Sequence, residues 1–426
     1  MGKSGSHRRK HRQQSHHQSH SDATITPVLE GNPLVPTGEA DWIDTNDDFH
    51  SLCDELASSG IFSYDTEFIG EDSYYAHTCL IQVATTSRVA LIDPFVVKDL
   101  TPLYTLIADP NITTLLHSGS QDLEPVALLF GKPPAGIFDT QLAAGFVGYP
   151  WPISLTKLIE SILQHDVGGH FTFSQWDARP LSNRQRFYAA DDVRYLIALH
   201  DHLNKKLNEL ERTTWAEEEF SKYTSMEEYE FNLFNVVKRI CKNKSPRKKE
   251  MQRIQTIAAL REELAIDLDL PTRAVIPNEC VLALAKKPVE TIEQLASMKG
   301  FPRNMANRFG ERILQTILDS PSVEPMQLRK PQAIEKEAET RQELDGIWSL
   351  FGAWCVGKQL STGLVTNRPT FTDWFLALRE GKPLTDSPLA IGWRGEAVQE
   401  FANMLSGNGE ISFSYNKSLH TKSSTT

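Results

Sequence analysis

A chain of 426 residues holds about three domains at roughly 150 residues each, and 40% hydrophobic residues suffice for ordinary cores. The formal net charge of −11 argues against a protein that coats nucleic acid non-specifically, though not against an enzyme that grips a few nucleotides locally. No run reaches the ~18 apolar residues of a membrane helix, and the five cysteines (Cys53, Cys79, Cys241, Cys280, Cys355) form no C-x-x-C pair, which argues against a disulfide framework or zinc site and suits a reducing cytosol.

Residues 1–38 lack apolar residues for a core and read as a disordered, His-, Ser- and Lys/Arg-rich tail. A helix is expected over Phe49–Ser58, capped by Asn46, Asp47 or Asp48 and ended by Gly60. Phe62–Phe68 then reads as a strand, and period 2 puts Asp65 and Glu67 on one face. Two carboxylates side by side on a buried strand repel each other unless a cation lies between them. An oxygen-preferring ion such as Mg²⁺ or Mn²⁺ suits that place. A solvated edge strand with two harmless acids reads equally well at this point.

Cys79–Ala84 and Val89–Pro94 continue as strands, giving an antiparallel meander within a mixed sheet. A helix over Asp99–Ile107 and a strand over Thr114–His117 follow. Ser118-Gly119-Ser120 breaks into a helix beginning near Gln121–Glu124, then come a short strand at Ile137–Thr140 and a helix over Gln141–Val147. This alternation predicts an α/β sandwich. Asp122, at a helix start after a strand, is either aimed at a site above the sheet edge or an ordinary cap, and Asp139 reads as a cap. Ser182 and Gln185 form a capping box. The helix they open stacks Tyr188 over Asp192 at i, i+4. That pair can position water, or it is an exposed tyrosine beside an acid. Asp191 points about 100° away and stays outside the site.

Asp65-x-Glu67, His117-Ser-Gly-Ser-x-Asp122-Leu-Glu, Phe138-Asp-Thr-Gln, Trp176-x-x-Arg179-Pro-Leu and Tyr188-x-x-x-Asp192 occur in this order. Together they resemble the ribonuclease D family, in the DEDDy branch of 3′–5′ exonucleases. The resemblance implies an RNase H-like fold in which Asp65, Glu67, Asp122 and Asp192 hold two divalent ions, Mg²⁺ or Mn²⁺. Phosphodiester hydrolysis fits such a site, because two cations roughly 3.5–4 Å apart serve the attacking water and the leaving 3′ oxygen. By resemblance Asp65 bridges both ions, Glu67 and Asp192 serve the water-activating one, and Asp122 holds the second directly or through water. Tyr188 would hydrogen-bond the attacking water. By resemblance Gln82 is expected near the terminal nucleotide and His117 and Gln141 near the cleft as substrate-binding residues, each in a supporting or structural rather than an essential part. The stretch Gly168–Gln175 departs from the lysine-serine pair and acid that the family often carries before the tryptophan, which leaves this loop's contacts with RNA open.

Residues 216–245 read as a linker, acidic first and then basic, with Lys238, Arg239, Lys242, Lys244, Arg247, Lys248 and Lys249 as a candidate phosphate-tracking block or a solvated helix. Leu270-Pro-Thr-Arg, Ile276-Pro-Asn-Glu, Lys299-Gly-Phe and Phe309-Gly-Glu-Arg-Ile-Leu resemble the HRDC domain, a small helical nucleic-acid-binding bundle, assigned to 246–322. After a linker at 323–339, residues 340–410 read as a degenerate second HRDC-like bundle, because Ile391-Gly-Trp-Arg echoes Lys299-Gly-Phe-Pro. Residues 411–426 read as a flexible tail. The fold expected is thus an α/β RNase H-like exonuclease domain at 39–215, a mixed sheet with flanking helices, followed by one or two all-α HRDC-type bundles. The function expected is metal-dependent 3′–5′ exoribonuclease action on single-stranded 3′ ends, with tRNA precursors as the first guess, by a cytoplasmic monomer with no membrane partner. A DNA 3′–5′ exonuclease and a non-catalytic RNA-binding protein with a relict site are the rivals.

Overall fold

The structure is a computed structural model and describes residues 27–168, 175–242, 244–329, 332–407, 410–415 and 419–424. Most of the histidine-rich tail and residues 169–174 of the departing loop lie outside the described residues.

The main sheet is built from β1 (Asp41–Ile43), β2 (Ile61–Ile69), β3 (His77–Ala84), β4 (Val89–Ile92), β5 (Thr113–Leu116) and β6 (Ile137–Asp139). Its strand order is β1-β4-β3-β2-β5-β6. The pairs β2–β3 and β3–β4 are antiparallel, as the meander predicts; β1–β4, β2–β5 and β5–β6 are parallel. β3 pairs with β2 along most of its length, but β5 pairs only with Ile61–Ser63. Beyond Ser63 that edge of β2 is open, because Ser118 takes a left-handed conformation (φ 64°) and turns the chain out of the sheet. A bulge lies opposite Glu67/Phe68: Glu67 pairs with Leu80 and Phe68 with Thr78, so Cys79 has no partner.

Helix α1 (Asn46–Ser59) is capped by Thr45, whose hydroxyl accepts from Asp48 N at 3.2 Å. The expected caps Asn46, Asp47 and Asp48 sit inside the first turn, where Asp47 and Asp48 complement the helix dipole. Gly60 ends the helix in the left-handed region, as expected. With α2 (Thr101–Ile107), α1 covers one sheet face, burying Phe49, Leu52, Leu56, Leu103 and Ile107 against Phe62, Tyr64 and Ile92. After β5, Gln121–Leu123 forms a turn, and the expected helical segment starts at Glu124 and runs as a π-helix over Pro125–Phe130.

The opposite face receives α3 (Thr140–Phe146), α4 (Leu155–Leu163), α5 (Asn183–Arg194), α6 (Leu196–Glu209) and α7 (Thr213–Phe220). The Ser182–Gln185 capping box that opens α5 is present. Next come α8 (Leu233–Cys241), α9 (Lys248–Leu268), α10 (Thr272–Val275), α11 (Asn278–Lys286), α12 (Ile292–Ser297) and α13 (Arg303–Asp319), which share a separate core around Ile257, Leu264, Leu284 and Ile313. The last bundle is α14 (Ala338–Gly357), α15 (Thr362–Val365), α16 (Arg368–Arg379) and α17 (Gly392–Leu405). Among the described residues no helix is long and apolar enough to cross a membrane.

Four expected boundaries move. Residues 27–38, expected as part of the disordered tail, are packed: Val35 is buried, and buried Arg194 donates to the carbonyls of Pro36 and Gly38. The linker at 216–245 is largely structured, since α7 joins the core of the sheet domain and α8 buries Val236, Val237 and Ile240 in the first bundle. Residues 340–410 do not form a self-contained unit. Trp354, Phe371, Trp374, Trp393 and Phe401 share one continuous core with Phe146, Leu196 and Leu199 of the sheet domain. The final stretch is not featureless, because Glu410–Tyr415 (β7) pairs antiparallel with Leu419–Ser424 (β8); the alternation Ile411-Ser-Phe-Ser-Tyr is a strand pattern within a polar composition.

The seam under the last bundle is polar as well as apolar. Buried Glu219 accepts from Trp393 Nε1 at 2.6 Å, from Lys222 and from Arg394. Arg212, 7% exposed, ties the Phe146 carbonyl to those of Lys358 and Gln359. Burial brings the Arg212 pKa down to about 10, so it stays charged at neutral pH. Gly145 admits Leu364 so closely that an added Cβ would sit 2.9 Å from Leu364 Cδ2. Trp393→Ala is therefore expected to cost about 3–5 kcal/mol. In urea, tryptophan fluorescence and circular dichroism should shift together, and separate melting of the last bundle would contradict a shared core.

Candidate active site

The site forms where the sheet splits. Ser63, Asp65 and Glu67 occupy alternate positions of β2 and face the helices that follow β6. Asp65 is directly opposite Gln82 of β3, so their side chains share this face. Helix α5 packs across β2, β3 and β4 and brings in Tyr188 and Asp192. Asp122 reaches the site around the open edge of β2. There its Oδ1 accepts from Thr66 N at 3.2 Å and from the Thr66 hydroxyl at 2.5 Å. Its carbonyl accepts from the Tyr64 hydroxyl at 3.1 Å. Asp122 thus replaces, in part, the neighbour strand that β2 lacks.

The four acids act on one another. Burial first, then the charges of Asp122, Asp192 and Glu67, raise the Asp65 pKa well above the ordinary range. Burial and the charges of Glu67, Asp191 and Asp122 do the same to Asp192. Glu67 is pushed up to about 8 by burial and Asp122. Asp122 is raised by burial, against the opposing hydrogen bonds from Thr66. By exposed area Asp65, Glu67 and Asp192 are half-buried, so they line the floor of a cleft that solvent still reaches.

Hard oxygen donors that repel at close quarters suit a divalent cation. Two buried groups on the same face support that fit, for Ser63 Oγ and both amide atoms of Gln82 have no hydrogen-bond partner. Among the described residues no three acids, histidines or cysteines close into a ready-made ligand set. Mutual repulsion and the pull of Thr66 on Asp122 oppose such closure.

Tyr188 lies among the acids. The charge of Asp192, then burial, then Glu67 and Asp65 push its pKa up, so it remains an O–H donor at neutral pH. Asp191 turns to Arg194, at 3.2 Å, as its helical position predicts. Asp139 is engaged structurally, capping α3 and accepting from Ser118 N and, at 2.7 Å, from the Tyr223 hydroxyl.

The three residues expected near the substrate differ in their engagement. Gln82 is fully buried beside Asp65. His117 has Nε2 at 2.9 Å from the Ile153 carbonyl, which only accepts, so Nε2 carries the proton; Nδ1 lies 2.9 Å from the Thr140 hydroxyl. Burial lowers its pKa and keeps the ring neutral. Gln141 Nε2 donates to the same Ile153 carbonyl at 2.9 Å. His117 and Gln141 thus fasten the 153 segment to the end of β5.

Sequence reasoning quoted Arg179 without a role. Its guanidinium grips buried Asp93 at 2.7 and 2.9 Å, takes the Cys79 carbonyl at the bulge at 2.6 Å, and takes the Trp176 carbonyl. Burial opposes ionisation of Asp93, but Arg179 and the Phe95 amide hold its pKa below the usual range. Arg179 therefore anchors both the bulge next to Glu67 and the loop carrying Trp176, whose ring lies 6.2 Å from that of Tyr188. The Trp-x-x-Arg spacing was the available signal, but the bulge it serves is not visible in sequence.

Comparison with known proteins agrees with this geometry. The 3′–5′ exonuclease family model matches residues 40–208, and the HRDC domain model matches residues 250–317. A ribonuclease D from Jannaschia sp. (strain CCS1) is 30% identical over 376 residues, covering 87% of this chain and 95% of the relative. One from Sphingobium indicum is 34% identical over 268 residues, 62% of this chain and 68% of the relative. The crystal structure of Escherichia coli RNase D, described as an exoribonuclease involved in structured RNA processing, superposes with a TM-score of 0.70 at 26% identity, over 87% of this chain and 99% of that one.

Gly119 leaves the space Asp122 occupies: an added Cβ would lie 3.0 Å from Leu116 Cβ and 3.2 Å from Asp122 Oδ2. Gly119→Ala is expected to shift that carboxylate by a few tenths of an ångström and lower turnover, by less than the roughly hundredfold cost of a 1 Å misplacement. Circular dichroism should retain the native spectrum, and full turnover would show that Asp122 tolerates the shift.

Proposed function

The chain belongs to the ribonuclease D family and is a 3′–5′ exoribonuclease, and from that premise we propose that it trims the single-stranded 3′ ends of tRNA precursors, releasing nucleoside 5′-monophosphates. The activity is metal-dependent. The ions are a divalent pair, Mg²⁺ or Mn²⁺, held by Asp65, Glu67, Asp122 and Asp192. The observation that carries this assignment is the convergence of four acids from β2, the Asp122 turn and α5 on one cleft, where burial raises the pKa of each and Asp65, Glu67 and Asp192 also feel their neighbours' charges.

When bound, such ions supply positive charge to the scissile phosphate and acidity to an attacking water. The chain's own residues do the rest. Asp65, next to Glu67 on the strand face and opposite Gln82, would hold the ions together with the other three acids. Glu67 and Asp192 face the attacking side together with Tyr188, which keeps its proton and orients water by hydrogen bonding rather than acting as a base. Asp122 stands on the leaving-group side, its carboxylate held by Thr66. Gln82, buried beside Asp65 with its amide unpaired, supports the side of the cleft that takes the terminal nucleotide. His117 and Gln141 set the cleft wall through Ile153 and border the same nucleotide. Five buried free cysteines favour a reducing, cytoplasmic setting, and the enzyme works as a monomer.

Digestion of a 3′-tailed tRNA-like RNA with Mg²⁺ or Mn²⁺ tests this function. Wild type should give a one-nucleotide ladder from the 3′ end, absent for Asp192→Ala and in EDTA; tight binding without product would defeat the assignment. A deoxy tail of the same sequence should be cut more slowly if 2′-hydroxyls are read.

Because Glu67 holds its proton up to about pH 8, ion binding must displace protons below that pH. Affinity for Mn²⁺ is expected to rise with pH through neutrality, because Asp65 and Asp192 as well as Glu67 hold protons that the ions must displace. Titration calorimetry in two buffers of different ionisation enthalpy would report the released protons. A pH-independent affinity would mean that the ions bind elsewhere.

A further inference from the structure

The exposed face of α8 has a composition that the active site does not explain. From Phe231 to Lys249 the sequence has seven bases and no acid, in a chain of net charge −11. Lys238, Arg239, Lys242, Lys244, Arg247, Lys248 and Lys249 are all exposed, and among the described residues none is in an ion pair. Other surface arginines, such as Arg88, Arg312, Arg368 and Arg379, are paired with acids. Two aromatic rings precede the bases, with Phe231 41% and Phe234 43% exposed. On α8, Phe234 and Lys238 are i and i+4 and stack along one face, while Val236, Val237 and Ile240 are buried on the other.

The stretch leading into this face packs on the core beneath the turn that carries Asp122. Tyr229, two residues before Phe231, packs on the core that contains Leu116 and Leu123, and its hydroxyl donates to the Tyr223 carbonyl at 2.9 Å. Tyr223 in turn donates to Asp139, which accepts from Ser118 N. Two residues span at most about 7 Å, so Phe231 stays close to the segment that carries Asp122. From there the face runs along α8 and into α9. This stretch precedes the HRDC match, which starts at residue 250.

We propose that this face of α8, continued through the turn into α9, is a track for the single-stranded RNA that lies 5′ of the nucleotide being removed. Phe231 and Phe234 stack on bases next to the cleft, and the bases from Lys238 to Lys249 follow the phosphates beyond. A chain of exposed cations interleaved with aromatic rings is the pattern of sequence-tolerant single-strand binding. Seven unneutralised cations on an acidic protein select a polyanion. The inference rests on RNA being the substrate, and it assigns the part of the substrate that the metal-site acids do not touch.

The test separates binding from cleavage. In EDTA, fluorescence anisotropy measures binding of an unstructured RNA of about 20 nucleotides to the full chain. The double variant Phe231→Ala/Phe234→Ala is expected to weaken binding on the order of tenfold per ring. Phe234→Tyr should restore that ring's share. The triple variant Lys238→Gln/Lys242→Gln/Lys248→Gln should reduce the slope of log affinity against log salt by about 2, at about 0.7 per contact. With metal present, kcat/KM for an RNA of about four nucleotides should be unchanged in the triple lysine variant, because so short a substrate does not reach the phosphate-tracking part of the track. Unchanged affinity and salt slope for the longer RNA would overturn the proposal. In that variant a loss on the short RNA equal to that on the long one would also overturn it, by tracing the effect to the catalytic domain. Retained RNA affinity with a change in size-exclusion mass would assign the face to a second copy of this chain instead. If wild type cuts neither RNA, the exonuclease reading fails, and binding in EDTA still decides the track.

Discussion

Repulsion among Asp65, Glu67, Asp122 and Asp192 is the force that the surrounding structure has to contain. Four carboxylates facing one cleft cannot all ionise cheaply without a cation, and each is held there by a different device. The pleat of β2 places two, the i, i+4 geometry of α5 places the third opposite Tyr188, and the hydrogen bonds of Thr66 hold the fourth at an open strand edge. Arg179 anchors the bulge beside Glu67 to Asp93, the residue that follows β4. The site stores unfavourable charge that becomes an asset once metal and a phosphodiester arrive.

The ordering of the sheet follows from the same need. β5 leaves its neighbour after Ser63, and the left-handed turn at Ser118 creates the gap that Asp122 fills. Gly119 then keeps side chains out of that gap. His117, Thr140, Gln141 and the Ile153 carbonyl close the wall on the β6 side. The catalytic residues are thus mounted on strand, helix and one braced turn.

Much of this was legible in the sequence, for local reasons. Alternation in Phe62–Phe68 placed Asp65 and Glu67 on one face, and the Ser182–Gln185 box fixed the start of α5 and hence the phase of Tyr188, Asp192 and Asp191. What could not be read there depends on partners far along the chain. Thr45 as the cap of α1 was hidden behind three equally good candidates. The π-helical turn after Asp122 has a helical apolar pattern and only its hydrogen bonds distinguish it. The ordering of Val35 by Arg194, the bulge at Cys79 and the sharing of one core between the last bundle and the catalytic domain are tertiary facts, and the aromatic pattern of residues 348–401 is equally consistent with a free-standing bundle.

The two helical bundles are joined to the catalytic domain in different ways. The last one shares tryptophans and buried charges with it. At the β2–β3 loop the first is met by Tyr74, whose ring packs on its core, whose hydroxyl donates to Glu262 and whose amide donates to Asp269 at 3.1 Å, with Arg273 reaching the Glu71 carbonyl at 2.7 Å. An attachment made of one ring and a few polar bonds is easily re-created on a different surface, whereas a fused core is not. The first bundle is therefore the detachable part of this molecule, whose removal would leave the sheet and its helices packed, while loss of the last would open the core of the catalytic domain itself.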